Sequence, residues 1–380
     1  MYESGHECKE RKEFEIMKTY KHLWEELISD ENIIEAVYAA ARGSVRGKRK
    51  IELLEIRANA EYYVPAIRNM IVNYETIKHI PMIINDGITQ KKREIIVPTI
   101  HEHLVQHAVM LILKPIFMKG MYEHSYASIP KRGCHNGAER LQLWIKDGGR
   151  HVKYCAKFDI RKFFENIDQD VLIAKLQRII RDDKFMDLLI KIIRTSDKGL
   201  PLGFYTSQWF ANFYLQDFDH YVKEQLGVKY YMRYMDDMVL LGSNKKELHR
   251  VKEQMLEYLQ NNLHVWFKDN WQIFRFDYKD DDERQGRFID FMGFRFYRDH
   301  ITMRRTIARK AMRKAAKLGK KGTITPADAR QMLAYYGWIK HTDSYDFVKK
   351  YIEPYVDFNE LKKIISDDAK RRNGAYVEEG

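Results

Sequence analysis

Apolar residues recur at two spacings along this chain. A helical spacing predicts helices over 17–42, with Ser29 as N-cap ahead of Asp30 and Glu31, from Ile51 to about Ile77, over His101–Phe117 and over Lys245–Leu263. Gly199–Ser207 reads as a glycine-rich turn closed by Ser207 as N-cap. The helix after it, Gln208 to Leu226, turns Trp209, Phe210, Phe213, Tyr214, Phe218, Tyr221 and Val222 inward. Alternation of apolar and polar residues marks His151–Ile160 as a strand. Val228–Leu241 reads as two strands joined by a tight turn, and Phe291–Phe296 as a short hairpin. From Met303 to Lys321 helical patterning returns, with Ala308, Met312 and Ala315 as its apolar stripe.

At the tip of the longer hairpin stand Asp236 and Asp237, flanked by Tyr230, Tyr231, Met232 and Tyr234 on one side and Met238 to Leu241 on the other. Asp is a common turn residue, so a solvated turn is one reading. The apolar flanks favour another: two adjacent carboxylates against a buried sheet need a cation or a hydrogen-bond network. Hard divalent cations take carboxylate oxygens. Asp159, at the end of the 151–160 strand, would complete a two-metal site, or else cap the helix that follows.

With 380 residues the chain can bury a large core in two or three subdomains. Its 66 Lys and Arg against 54 Asp and Glu give a net charge of +12, which favours a polyanionic partner. The basic residues cluster in the Arg42–Lys50 loop, at Lys91, Lys92 and Arg93, and between Arg304 and Lys321. Arg305, Arg309 and Arg313 recur at i+4, where like charges repel unless a counter-charge such as a nucleic-acid backbone lies against them. Cys8, Cys134 and Cys155 form no C-x-x-C pair, so neither a zinc site nor a disulfide framework is expected and a reducing cytoplasm fits. His103 and His107 share a helix face, but Leu104 stands where a zinc protease motif has Glu, so a packing role is expected. The acidic run Asp277–Glu283 reads as a solvated loop, residues 1–16 as a disordered or extended start, and no apolar run has the length of a membrane span.

Phe158-Asp159 followed by the Tyr234-Met235-Asp236-Asp237 hairpin resembles the palm of a reverse transcriptase, in which an FD strand and a Y-x-D-D turn supply the metal ligands. Leu202-Gly203-Phe204-Tyr205-Thr206-Ser207-Gln208 is similar to the L/I-G-x-x-x-S-Q signature of reverse transcriptases from diversity-generating retroelements. Group II intron and retroviral-type enzymes have Gln before this Gly and Pro after this Ser. Ser125-Tyr126-Ala127, Gly199-Leu200-Pro201, Ala211 to Leu215 and Arg233 fit the same family, and the likeness spans roughly Met17 to Tyr355.

The resemblance implies an α+β right-hand polymerase fold: N-terminal helices and fingers over 17–150, a palm of antiparallel sheet and helices over 151–300, and a small basic helical thumb with the C-terminal tail over 301–380. Asp159, Asp236, Asp237 and the backbone of Ile160 would hold two Mg²⁺ ions, for which Mn²⁺ could substitute. Lys92, Arg93, Arg132, Leu202, Gly203 and Gln208 would bind the incoming nucleotide, with Phe164 as a steric gate favouring dNTPs and Phe163 or Phe164 serving the core. Lys268 would act as general acid towards pyrophosphate. Arg305, Arg309, Arg313 and Lys317 would follow the nucleic-acid backbone. The implied activity is error-prone RNA-templated DNA synthesis, with template RNA, a primer or cDNA strand, dNTPs and a small basic accessory protein as partners, no membrane, and a bacterial or phage-host cytoplasm as the location. Two alternatives stay open: a stand-alone or defence-associated reverse transcriptase, and a non-catalytic RNA-binding protein on the same fold.

Overall fold

A serine that caps a helix must itself be extended, and that interrupts the first long helical pattern. Ser29, at φ −65° and ψ 152°, accepts a hydrogen bond from Asn32 N, so the expected helix over 17–42 is two helices, Leu23–Leu27 and Asp30–Arg42. The computed structural model describes residues 19–43, 47–85 and 92–378; the expected start at 1–16, Lys91 and the centre of the basic loop at 44–46 lie outside them. The next pattern is also divided. Helices Lys48–Ala58 and Ala60–Val72 meet at Asn59, and Lys48 to Lys50 belong to a helix rather than to the loop.

The chain forms two compact units that interleave along the sequence. One contains the described residues up to Met82 together with 95–119 and 164–214; the other contains 83–94, 120–163 and everything from Leu215. In the first unit the apolar helix Ile100–Gly120 is buried along most of its length, through Leu104, Val105, Ala108, Val109, Leu113 and Phe117 among others. Phe117 stacks on Phe213 at 4.5 Å, and His107 on Tyr205 at 4.4 Å. His103 and His107 touch edge to face, which bears out their packing role.

Ser207 is not the N-cap that the sequence suggests. The helix runs from Tyr205 to Tyr214, and its first N–H is taken by Gln106 Oε1 at 2.7 Å, a cap supplied from another helix. Ser207 Oγ instead donates to Pro201 O at 2.8 Å and ties the preceding loop to the first turn. The helix does not continue to Leu226: a short helix Gln216–His220 and a π turn Tyr221–Gln225 follow.

The strands, numbered in chain order, are β1 (Met82–Asn85), β2 (Lys92–Ile95), β3 (Tyr154–Asp159), β4 (Tyr230–Tyr234), β5 (Asp237–Gly242), β6 (Gln272–Arg275), β7 (Tyr278–Asp280), β8 (Glu283–Gln285), β9 (Ile289–Phe291), β10 (Phe294–Phe296) and β11 (Ile301–Met303). In the second unit β4-β5-β3-β6 form an antiparallel sheet and β11-β10-β9 a smaller one. Both contribute to one core that includes Cys155, Met232, Val239, Phe276, Phe291 and Phe294. The α+β class expected from the sequence is what these elements form.

Two surface expectations are corrected. Asp280 to Glu283 are exposed as expected, but the run forms the hairpin β7–β8 rather than a loop, and Asp277, only 3% exposed, accepts from Arg298 N and Arg284 Nη1. In helix Arg305–Gly319 the buried stripe is Ile307, Ala311, Ala315 and Leu318, packed on Ala329, Met332 and Leu361, while Ala308 is only partly buried. Arg305, Arg309, Arg313 and Lys317 face outward as expected. Lys314 and Lys321, by contrast, are held by Asp328 beside the Thr325 capping box.

Candidate active site

Register brings the carboxylates together. Asp159 closes β3 directly opposite Asp237, which opens β5, and residues opposite one another in an antiparallel pair share a face of the sheet. Asp236 sits in the two-residue turn between β4 and β5, and its carbonyl accepts from Ile160 N at 3.2 Å. The tip of the hairpin is therefore Met235–Asp236, one residue earlier than the sequence suggests. Met235 occupies the left-handed region at φ 57°, strained for a side chain of that size.

Two lysines face these acids, each for a geometric reason. Lys157 lies two residues before Asp159 on the same face of β3, diagonal to Asp237, and its ammonium is 3.5 Å from Asp237 Oδ2 while donating to Asp290 O. Lys268 N donates to Asp159 O at 2.7 Å, which fixes the residue beside the strand end, and its ammonium bonds Asp159 Oδ1. Among the described residues no three His, Cys, Asp or Glu side chains form a ready-made ligand cluster. Asp159 turns to Lys268 and Asp237 to Lys157 instead.

The lysines do not fully compensate the acids. Burial, then the charge of Asp159, raise the Asp236 carboxyl to about 6. Asp237 is raised to about 7, chiefly by burial, against the lowering effect of Lys157. Asp237 Oδ1 is buried without a hydrogen-bond partner. An orphaned carboxylate oxygen beside two further acids is a donor set that fits a hard divalent cation.

One part of the site has no local signal in the sequence. Arg233 and Asp219 are fully buried, and Arg233 Nη1 donates to Met235 O at 2.9 Å, bracing the strained residue next to Asp236. A hint exists in retrospect: an Arg in an otherwise apolar strand demands a buried acid.

The remaining expected residues fall as follows. Lys92 and Arg93 are exposed on β2 in the second unit, and Arg132 donates to Tyr122 O at 2.8 Å, a structural contact of its own. Phe164, Leu202, Gly203 and Gln208 belong to the first unit. Phe163, which ends a segment of the second unit, is buried at 2% exposure, and Phe164 is only partly covered, so one of the two serves the core as expected. Ile96 N donates to Leu202 O at 2.7 Å, and a Cβ on Gly203 (φ 110°) would lie 2.2 Å from Ile96 O. Backbone approach requires that glycine whatever ligand comes near it.

Residues 83–275 match the reverse transcriptase (RNA-dependent DNA polymerase) family. Protein YkfC of Escherichia coli is 27% identical over 146 residues, 36% of this chain and 38% of that protein. The group II intron-encoded protein LtrA of Lactococcus lactis is 26% identical over 189 residues, 47% of this chain and 29% of LtrA, so the chain spans well under half of these two relatives. The retron Ec73 reverse transcriptase of Escherichia coli is 26% identical over 280 residues, 69% of this chain and 84% of the retron protein. Telomerase from Candida albicans, solved with a fragment of telomeric RNA, covers 82% of this chain and is covered to 67%, at 14% identity and a TM-score of 0.45. The matched segment takes in β3, the Met235–Asp236 turn and β5, and by that match the chain belongs to the reverse transcriptase family.

Proposed function

We propose that this protein synthesises DNA on an RNA template by two-metal nucleotidyl transfer, with Asp159, Asp236 and Asp237 holding Mg²⁺. The observation that carries the reading is the pairing of Asp159 with Asp237 beside Asp236, with Asp237 Oδ1 left without a partner. When bound, the two ions would activate the primer 3′-hydroxyl and neutralise the nucleotide phosphates. The chain's own contributions are separate. Lys268, whose ammonium bonds Asp159, would give a proton to the departing pyrophosphate. Arg93 offers a planar fork for phosphate oxygens with Lys92 as a point charge beside it, and Arg305, Arg309, Arg313 and Lys317 present an outward stripe for the template–primer backbone.

Nucleotide selection is assigned to Phe164, as the gate against ribose, and to Leu202. A leucine cannot make the sugar hydrogen bond that a glutamine there can, and each such bond is worth about 1 kcal/mol, so the enzyme is error-prone. This property and the Leu202–Gln208 signature support a diversity-generating role with a small basic accessory protein. The length of the match to the retron enzyme favours a second reading, a stand-alone reverse transcriptase.

Incorporation of dNTPs on a primed RNA, dependent on Mg²⁺ and abolished by Asp236→Asn, tests the activity. A chain that binds RNA yet extends no primer would return the protein to a binding role. For the subtype, Leu202→Gln should lower the error rate; unchanged fidelity removes that support.

A further inference from the structure

A cavity of about 270 Å³ lies behind the Asp159 end of β3, in the second unit, between helix Lys245–Leu263 and the loop that carries Lys268. Arg161, Lys252 and Lys268 line it, with Asp269 the carboxylate among them and the indoles of Trp266 and Trp271 as walls. Lys252 is the informative member. Only 7% exposed, its ammonium stands 4.4 Å from the centre of the Trp271 ring and bonds Glu253, whose side chain is 66% exposed. A buried cation held by a ring face and a solvent-screened acid retains attraction for an anion beside it. Lys268 belongs to both places, lining the cavity while its ammonium bonds Asp159.

We propose that this cavity binds inorganic pyrophosphate, receiving the leaving group of the polymerisation reaction at the far side of Lys268; the assignment rests on the function read above. The charges suit that anion: one guanidinium and two ammonium groups surround the cavity, and the Trp271 ring holds the Lys252 ammonium at its edge.

Calorimetric titration of the full chain with sodium pyrophosphate, with divalent metal removed by chelation, tests this without any polymerisation. One saturable site is expected, weakened about tenfold by Lys252→Gln, which removes a charge-assisted hydrogen bond. Gln260→Glu is expected to weaken it comparably: Gln260 is an exposed lining residue, so this variant carries the test if Lys252→Gln does not fold. Absence of a saturable site, equal binding of sulfate at matched ionic strength, or unchanged affinity in both cavity variants would each overturn the assignment. Primer extension, measured separately, fails only if the polymerase reading fails.

Discussion

Arg233 and Asp219 form an ion pair with no solvent exposure on either side chain: Arg233 Nε lies 2.8 and 3.0 Å from the two carboxylate oxygens, and Nη2 lies 2.6 Å from one of them. Tyr231 OH donates to the same carboxylate at 2.6 Å. The pair connects helix Gln216–His220 to the carbonyl of Met235, and so to the backbone that carries Asp236. Removing one partner strands a buried charge, so Arg233→Met should destabilise the fold by about 3–5 kcal/mol. Arg233→Lys keeps the charge but cannot make the forked set. It should recover much of the urea midpoint while leaving turnover depressed, which separates support of the turn from support of the fold.

Lys268 gives a different kind of expectation. If its ammonium protonates pyrophosphate, Lys268→Gln should lower the rate of a single incorporation about 10²-fold or more, and Lys268→Arg should lower it too. A lysine that merely steadies Asp159 would be replaced by arginine with no change in that rate. Measuring both variants under single-turnover conditions decides between the two.

Where the sequence was legible, the physics was local. The alternation leading to Asp159 and the apolar runs on either side of the next hairpin could be read directly, because a strand follows from adjacent residues, although the turn itself falls one residue earlier than the sequence suggests. Lys245–Leu263 was read to the residue for the same reason, Asn244 capping its own helix. Ser207 was misread because the true cap, Gln106 Oε1, comes from a residue 99 positions away. Asp277 looked solvated because its partners Arg284 and Arg298 lie on later segments. In helix Arg305–Gly319 alanines occur on neighbouring faces, so composition left the apolar stripe ambiguous and Ile307 and Leu318 settle it. The pairing of Arg233 with Asp219 joins a strand to a helix and has no periodic signal at all.

Glycine at 203 makes a steric prediction that needs no ligand. With φ at 110° and a Cβ position 2.2 Å from the Ile96 carbonyl, backbone would have to move on both sides of a Gly203→Ala substitution. A loss of about 2 kcal/mol or more is expected. Gly227, at φ 65° with nothing within 4 Å, is the control: Gly227→Ala meets only backbone strain and should lose about 1 kcal/mol. Thermal denaturation of the two variants side by side isolates the close approach.

The outward stripe of helix Arg305–Gly319 should show itself in salt dependence. Each phosphate contact releases counterions, so replacing Arg309 or Arg313 with Gln should reduce the slope of log affinity against log salt by roughly 0.7–0.9 for a primed RNA. Lys314→Gln serves as a comparison, since Lys314 is already bonded to Asp328 and Gln331. Its variant should lose stability and leave the slope unchanged.

Acid should weaken the first unit through His107. Burial, with the neighbouring charges of His103 and Lys114, lowers this imidazole to about 3 in the folded protein, where it stacks neutral against Tyr205. In the unfolded chain it titrates near its ordinary value of about 6.5. Between those two values the unfolded state holds the additional proton, so stability rises with pH across that window and falls as pH is lowered through it. From this residue alone the slope approaches about 1.4 kcal/mol per pH unit, and the contribution is complete above about pH 6.5. Denaturation midpoints of His107→Gln between pH 7 and 4 should fall less steeply than those of the parent, although the variant starts lower for want of the ring stacking. Parallel slopes in the two proteins would mean that His107 is already protonated when folded, and would contradict its burial.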